Sequence, residues 1–173
     1  QYKIDTVLIN GCECEPFLTA DHRLMIDKAH ELIAGCSIIQ KVLGIKRIII
    51  GIENNKQDAI DHLVINTIGS KDIIIQPLQV KYPQGAEKML INAALDRKVP
   101  PGKLPMQVGV VVLNVGTVIA IAEAVNTGQP LIERIVTVSG DGILYPKNLK
   151  VKIGTLFSDV INYCGGLKPN IQK

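Results

Sequence analysis

The sequence has few aromatic residues and no long apolar run. Of its 173 residues none is Trp, two are Phe and four are Tyr. Such a chain has too few aromatic side chains to form a surface on which nucleic-acid bases stack. Its net charge of +3 is also too small to predict nucleic acid as a partner. No apolar run reaches the roughly 18 residues of a membrane span, and the first residues lack the pattern of a signal peptide. We therefore expect a cytoplasmic protein with no direct membrane insertion.

Cysteines are also few, and they lack the paired spacing of a metal site. The four of them are Cys12, Cys14, Cys36 and Cys164. This is not the dense framework of a small disulfide-linked domain, so a reducing compartment is the simpler interpretation. The Cys12-x-Cys14 pair could contact a metal, but a loop thiol that packs or contacts a ligand explains it better. We predict no metal site in these residues.

The apolar residues that are present indicate an α/β fold. They make up 47% of the chain and are mostly Ile, Val, Leu and Ala, as in buried strands covered by helices. β-Branched runs at residues 4–9, 47–52, 72–80 and 108–113 alternate with segments of helical spacing. That alternation requires crossover connections, so it predicts a mainly parallel sheet flanked by helices, a Rossmann-like arrangement. Pro77 places the third strand at an edge of the sheet or turns its second half into a loop.

The pattern changes after Gly128. Strand, turn, strand and helix follow over residues 132–163, which predicts the start of a β-grasp module. We therefore divide the chain into an α/β domain at residues 1–128 and a partial β-grasp module at residues 129–173. Because such a module needs further strands, we expect an excised part of a longer protein, with an unpaired sheet edge near its end.

Polar turns follow the first and the fourth predicted strands. The first turn begins at Asn10 and continues with Glu13, Cys14 and Glu15, and the other begins at Asn114. Open α/β sheets bind ligands at the carboxyl ends of their strands, so these amide, thiol and carboxylate groups could converge on a planar cofactor. From composition alone, a solvated acidic loop and a simple helix cap explain the same residues.

Three ordered motifs carry a resemblance to a known family. The chain resembles the C subunit of Rnf-type electron transport complexes, which is similar to the NADH-binding flavoprotein subunit of respiratory complex I. The motifs are NGCECEPFLTADHRLM at residues 10–25, YPQGAEK at residues 82–88 and LNVGT at residues 113–117. Residues 139–166 resemble the opening half of the soluble-ligand-binding β-grasp module, the SLBB domain, that follows the flavin domain in that family. The resemblance covers nearly the whole chain.

The resemblance implies roles for the first motif. Asn10, Glu13 and Cys14 would line the isoalloxazine ring of FMN, and Glu15 would face the nicotinamide of NAD(H) as the catalytic residue. Carboxylates beside a flavin disfavour its anionic reduced form and tune its potential. Thr19 or Asp21 is expected to cap the helix that follows.

The other two motifs would complete the cofactor site. By the same resemblance, Gly85 lets the backbone approach the flavin, while Tyr82 and Glu87 lie near the flavin and the dinucleotide. Asn114 and Thr117 would add an amide and a hydroxyl at a helix N-terminus, which is a favourable anion site. A turn, a helix start and a cap explain these residues without a ligand. We expect all three polar turns to meet in one cleft at the carboxyl edge of the sheet.

The implied protein is an NADH:acceptor oxidoreductase that exchanges electrons between NAD(H) and iron–sulfur clusters through FMN. The family's glycine-rich phosphate loop and cluster cysteines fall outside these residues, so the isolated stretch is expected to be inactive. The implied partners are other electron-transport complex subunits, which would place the protein at the inner face of the cell membrane, or a soluble reductase. The alternative from another class is a non-catalytic ligand-binding or docking domain that has lost the flavin. Such a domain would not be expected to keep the motif residues together.

Overall fold

A computed structural model of the chain describes residues 2–70, 72–169 and 171. The ends of the two predicted domains, at residues 1 and 172–173, lie outside this part. The elements are, in chain order, β1 (Thr6–Gly11), α1 (Ala20–Asp27), α2 (Ala29–Leu43), β2 (Arg47–Glu53), α3 (Gln57–Asn66), β3 (Ile73–Leu78), α4 (Glu87–Leu95), a 3-10 turn (Pro105–Val108), β4 (Val110–Asn114), α5 (Val115–Thr127), β5 (Glu133–Val138), β6 (Lys147–Lys152) and α6 (Phe157–Tyr163).

The first four strands form a parallel sheet in the order β3-β2-β1-β4, which confirms the predicted fold class. The central strands β1 and β2 are almost continuously buried, as expected where helices cover both faces. β3 lies at the edge, and its Pro77 is aligned with Ile52 of β2. An edge strand tolerates the missing N–H of proline, so the predicted edge position of Pro77 is confirmed.

Alternate residues of β1 enter two different apolar cores. Val7 and Ile9 pack in the larger core with residues of α1, α2, α3 and α5. Leu8 packs on the opposite face of the sheet with Ile49 and Leu90. This is the period of two that a strand imposes on its side chains. The sheet is therefore covered on both faces, and its carboxyl edge remains the place where loops can form a site.

One predicted helical run is two helices in the structure. α1 and α2 meet at Lys28, whose φ of −126° and ψ of 29° are not helical. The apolar spacing continues across the break, so periodicity alone could not reveal it. Gly44 ends α2 with a φ of 63°, in the left-handed region that glycine adopts readily.

The segment after Gly128 forms the predicted strand, turn, strand and helix. β5 and β6 pair antiparallel, and α6 follows them. In the described part of the chain this sheet has two strands. The division of the chain at residue 128 stays a prediction.

The close approach of α2 and α5 depends on Gly35. A Cβ atom at Gly35 would lie only 2.3 Å from the carbonyl oxygen of Val118 and 2.7 Å from its Cγ1. Backbone atoms cannot move aside as a flexible side chain can. A larger residue at position 35 would therefore force the two helices apart.

We predict that Gly35→Ala destabilises the fold although alanine favours helices. The helix preference contributes about 1 kcal/mol in favour of alanine, whereas overpacking costs about 1–3 kcal/mol and more where backbone must move. Chemical denaturation should show a net loss of stability. Ser37→Ala, at an exposed position of the same helix, is the control and should change stability by less than about 0.5 kcal/mol. A more stable Gly35→Ala variant would contradict the packing argument.

Candidate functional site

The polar turns meet at the carboxyl edge of the parallel sheet. Asn10 and Asn114 are register partners at the ends of β1 and β4. The Asn10 side chain donates from Nδ2 to the carbonyl oxygen of Gly85 at 2.8 Å, and its Oδ1 accepts from the N–H of Cys12 at 3.0 Å. One amide thus joins the turn after β1 to the turn before α4.

A cleft of about 340 Å³ opens between these two turns, and we call it the loop cleft. Its volume lies in the range of roughly 300–1,000 Å³ that is usual for small-molecule sites. The lining residues are Cys12, Glu13, Cys14, Glu15, Leu18, Asp21, Tyr82, Pro83, Gly85 and Ala86. The structure therefore brings the first two motifs together, with carboxylates on one side and the backbone of the second motif on the other.

Glu13 binds the first turn of α1. Its two carboxylate oxygens accept from the backbone N–H groups of Asp21 and His22, at 2.8 and 2.9 Å. The predicted caps are wrong. Thr19 occupies the N-cap position of α1, but its side chain makes no cap hydrogen bond. The Asp21 carboxylate accepts from the side chain of Asn114 instead. A carboxylate is favoured at this position by the free N–H groups and by the helix dipole.

Two carboxyl groups adjoin Glu13, half-buried Asp21 and buried Glu53, and the sequence prediction did not include them as site residues. Burial raises the pKa of Asp21 to about 6, although its hydrogen bond with Asn114 opposes the shift; the negative charge of Glu13 adds to it. Burial also raises the pKa of Glu53, which is only 2% exposed. Glu53 ends β2 at the same sheet edge, and that position was the sequence signal that could have identified it.

The exposed side of the loop cleft holds Glu15 and Tyr82. A hydrogen bond with the Glu15 carboxylate, and its negative charge, raise the pKa of the Tyr82 hydroxyl. Cys12 is buried below them, and burial raises the pKa of its thiol to about 12. Its Sγ donates to the carbonyl oxygen of Gly51 at 3.7 Å. Cys12 is therefore a packed neutral thiol at neutral pH.

Gly85 is required by contact between the two turns. A Cβ atom at this position would lie 2.7 Å from the carbonyl oxygen of Cys12 and 3.4 Å from Sγ of Cys14. The resemblance attributes this glycine to close approach of the flavin. The structure adds a second physical reason, which is that the loop bearing Cys12 and Cys14 packs directly against it.

The predicted residues of the third turn, and Glu87, lie outside the lining of the loop cleft, so two of the three turns form it and not all three as expected. Glu87 is exposed on the first turn of α4. Asn114 accepts from the N–H of Gly116 and donates to Asp21 at 2.6 Å, so only Asp21 connects it to the cleft. The Thr117 hydroxyl accepts from Arg134 of β5 at 3.1 Å. The cofactor roles of all three residues stay predictions.

The fold and the cleft define a class of protein: a parallel α/β domain with a candidate small-molecule site where its strands end. The model of the Nuo51 FMN-binding domain matches residues 1–123, and that of the SLBB domain matches residues 135–172. The chain belongs to the family of the Nuo51 FMN-binding domain. Both parts of the resemblance seen in the sequence are thereby confirmed.

Two similar proteins are components of ion-translocating complexes. The chain is 51% identical over 166 residues to the C subunit of the proton-translocating ferredoxin:NAD(+) oxidoreductase complex of Clostridium ljungdahlii, covering 96% of this chain and 36% of that protein. It is 47% identical to the Na(+)-translocating counterpart of Acetobacterium woodii, covering 95% of this chain and 37% of that protein. The chain thus spans about a third of the length of these relatives.

A solved structure supports the fold. The chain aligns with an NAD+-reducing NiFe-hydrogenase in the H2-reduced state with a TM-score of 0.76 and 22% identity, over 92% of this chain and 33% of that one.

None of the helices in the described part combines the length and apolar character needed to cross a membrane. Among residues 2–70, 72–169 and 171, no three His, Cys, Asp or Glu side chains are grouped to hold a metal ion.

The side chains of the loop cleft fit a planar cofactor with polar edges. Leu18, Pro83 and the Tyr82 ring provide apolar surface, and the backbone at Gly85 and Ala86 leaves room beside it. The Glu15 carboxylate and the Tyr82 hydroxyl provide polar groups on the exposed side. This is the mixture of apolar lining and a few polar groups that cofactor sites show.

We predict that Asp21 makes stability fall as pH rises from about 4 to about 6. Its pKa is 3.8 ordinarily and about 6 in the fold, so the folded chain binds more protons than the unfolded chain in this window. Asp21→Asn removes that dependence and should be the more stable form above pH 6, by up to about 3 kcal/mol.

Thermal unfolding of both forms from pH 4 to pH 8 tests this. Asp141→Asn, at an exposed turn position, is the charge-matched control and should follow the original protein across the window. Parallel curves for the original protein and Asp21→Asn would show that burial does not hold the Asp21 proton.

Proposed function

We propose that this chain is the flavin-binding part of a subunit that transfers electrons between NAD(H) and iron–sulfur clusters through FMN. The observation that carries the proposal is the loop cleft: in a chain that matches an FMN-binding domain, two motifs far apart in sequence meet at the carboxyl edge of the sheet. The relatives' names add that ferredoxin and NAD+ are the partners in the reaction of those proteins.

The rest of the subunit follows from the same comparison. Residues 1–128 form the flavin domain in this proposal, and residues 129–173 begin the SLBB module. The iron–sulfur clusters belong to other segments of a longer protein, because the relatives extend over about three times this length. Other complex subunits are the partners, and the protein lies on the cytoplasmic side of the membrane, attached through them. The relatives' names favour this function over a soluble reductase pathway or a domain that has lost the flavin.

The chain's own side chains have separable tasks. Asn10 and Gly85 hold the two walls of the cleft together, and Glu13 fixes the carboxylate loop on α1. Tyr82 and Glu15 stand at the exposed mouth, where they can orient the nicotinamide. Bound FMN would supply the chemistry, accepting two electrons as hydride and releasing them singly to clusters.

We predict that Glu15→Gln in the full-length protein changes flavin reduction by NADH and leaves FMN occupancy nearly unchanged. A hydrogen bond to a charged group contributes roughly 1.5–3 kcal/mol, so a change of about tenfold in the NADH dependence is the expected scale. Stopped-flow reduction followed through flavin absorbance separates binding of NADH from hydride transfer.

Glu31→Gln is the matched control. Glu31 lies on α2, away from the cleft, and its carboxylate pairs with Lys28. An unchanged rate and saturation curve for Glu15→Gln would remove Glu15 from the proposed site. Loss of FMN from the variant would instead place Glu15 against the flavin.

We also predict that FMN binds the full-length protein far more tightly than the 173 residues alone. The resemblance assigns the FMN phosphate to a glycine-rich loop outside this stretch, and backbone N–H groups at such loops supply much of the binding of an anion. Titration of FMN into both proteins measures the difference. Equal affinities would show that the loop cleft alone binds the cofactor.

A further inference from the structure

The β5–β6 hairpin reaches across to the loop that carries the predicted catalytic residue. Thr137 and Asn148 are opposite each other in the antiparallel pair, so their side chains lie on one face of the hairpin. The backbone N–H of Thr19 donates to the Thr137 hydroxyl at 3.2 Å. The second module thus contacts the first motif directly, four residues after Glu15.

Asn148 closes a small network around Thr19. Its Oδ1 accepts from the Thr19 hydroxyl at 3.0 Å and from the Thr137 hydroxyl at 2.8 Å, and its Nδ2 donates to the Thr19 carbonyl oxygen at 3.2 Å. The Ser139 hydroxyl donates to the carbonyl oxygen of Phe17 at 3.2 Å. We call Thr137, Ser139 and Asn148 the hairpin clasp.

The clasped segment has a backbone conformation that needs external support. Phe17 has a φ of +66°, in the left-handed region that non-glycine residues rarely adopt. The residue is 70% exposed, so burial of the ring contributes little to holding it there. Conformations of this kind persist when surrounding contacts enforce them. Two sets of contacts hold the segment around Phe17. The hairpin clasp bonds to its backbone, and Glu13, which precedes it, is bound to the first turn of α1.

We propose that the hairpin clasp positions the loop of residues 13–19, and so sets the place of Glu15 at the mouth of the loop cleft. The second module then serves the first as a positioning element, in addition to any ligand or partner of its own. The hydrogen bonds of the clasp are observed whatever the function of the protein is. The expected effect on the reaction with NADH rests on the function proposed above. Thr137, Ser139 and Asn148 are positioning residues, because they act through the loop.

The test uses Thr137→Val and Asn148→Ala in the full-length protein. Thr137→Val keeps the shape of the side chain and removes the hydroxyl, which keeps the test usable if Asn148→Ala folds poorly. Thr155→Val is the matched control, since the Thr155 hydroxyl lies in the same module and donates to Lys152. Hydrogen exchange is measured at the amides of Asp21 and His22, which donate to Glu13 and make no bond to the clasp.

We expect both clasp variants to speed exchange at Asp21 and His22 by about tenfold, the effect of losing roughly one neutral hydrogen bond. They should also shift the NADH saturation of flavin reduction, with FMN occupancy and the thermal midpoint nearly unchanged. The control should change none of these quantities. A merely structural contact would lower the thermal midpoint and leave exchange at Asp21 and His22 as in the control, which overturns the proposal.

The remaining outcomes separate this inference from the proposed function. Unchanged exchange at Asp21 and His22 in both variants overturns the positioning role, whatever the flavin does. Faster exchange with an unchanged NADH saturation curve supports the positioning of the loop and contradicts the placement of NAD(H) beside it.

Discussion

The bond between Glu13 and the first turn of α1 is the contact on which the site depends. A carboxylate that accepts from two helix N–H groups is stabilised by charge-assisted hydrogen bonds and by the helix dipole. It fixes one end of the loop after β1, so Cys14 and Glu15 have a defined place relative to the sheet. The opposite wall is fixed by Asn10, whose amide reaches Gly85. The loop cleft exists because these two bonds hold its sides.

The same contact crowds acidic groups at the sheet edge. Asp21 supplies an N–H to Glu13 while its own carboxyl is half-buried beside it, and Glu53 is buried at the end of β2. Burial and like charge favour the neutral acids, so the raised pKa values follow from geometry. In the proposed function, a cofactor bound in this cleft would experience an electrostatic field that depends on the protonation of Asp21 near neutral pH. Such perturbed groups are common at functional sites.

Much of this arrangement could be predicted from local pattern. The β-branched runs identified the strands, and the crossovers required them to be parallel, which placed Asn10 and Asn114 at the same edge of the sheet. The strand order, which local pattern did not predict, made them neighbours. The edge position of Pro77 was also predicted correctly, because proline lacks the N–H that an inner strand would need. The predicted cap at Thr19 was wrong, because a residue six positions earlier reaches the same N–H groups. Propensity describes neighbours in sequence, and Glu13 becomes a neighbour only when the loop folds back.

The sequence by itself determined the strands and their parallel direction, the helical segments between them, the family and the residues that could form a site. The period of the hydrophobic residues, the positions of the glycines and the order of the motifs are properties of the sequence, so they can be identified without a structure. Tertiary structure alone decided which of those residues meet: Tyr82 beside Glu15, Thr117 with Arg134, and Thr19 held by Thr137 and Asn148. These are contacts between distant segments, and their distances and burial depend on how strands, loops and the second module pack. Hydrogen bonds and pKa values are set by such distances, and no local pattern encodes them.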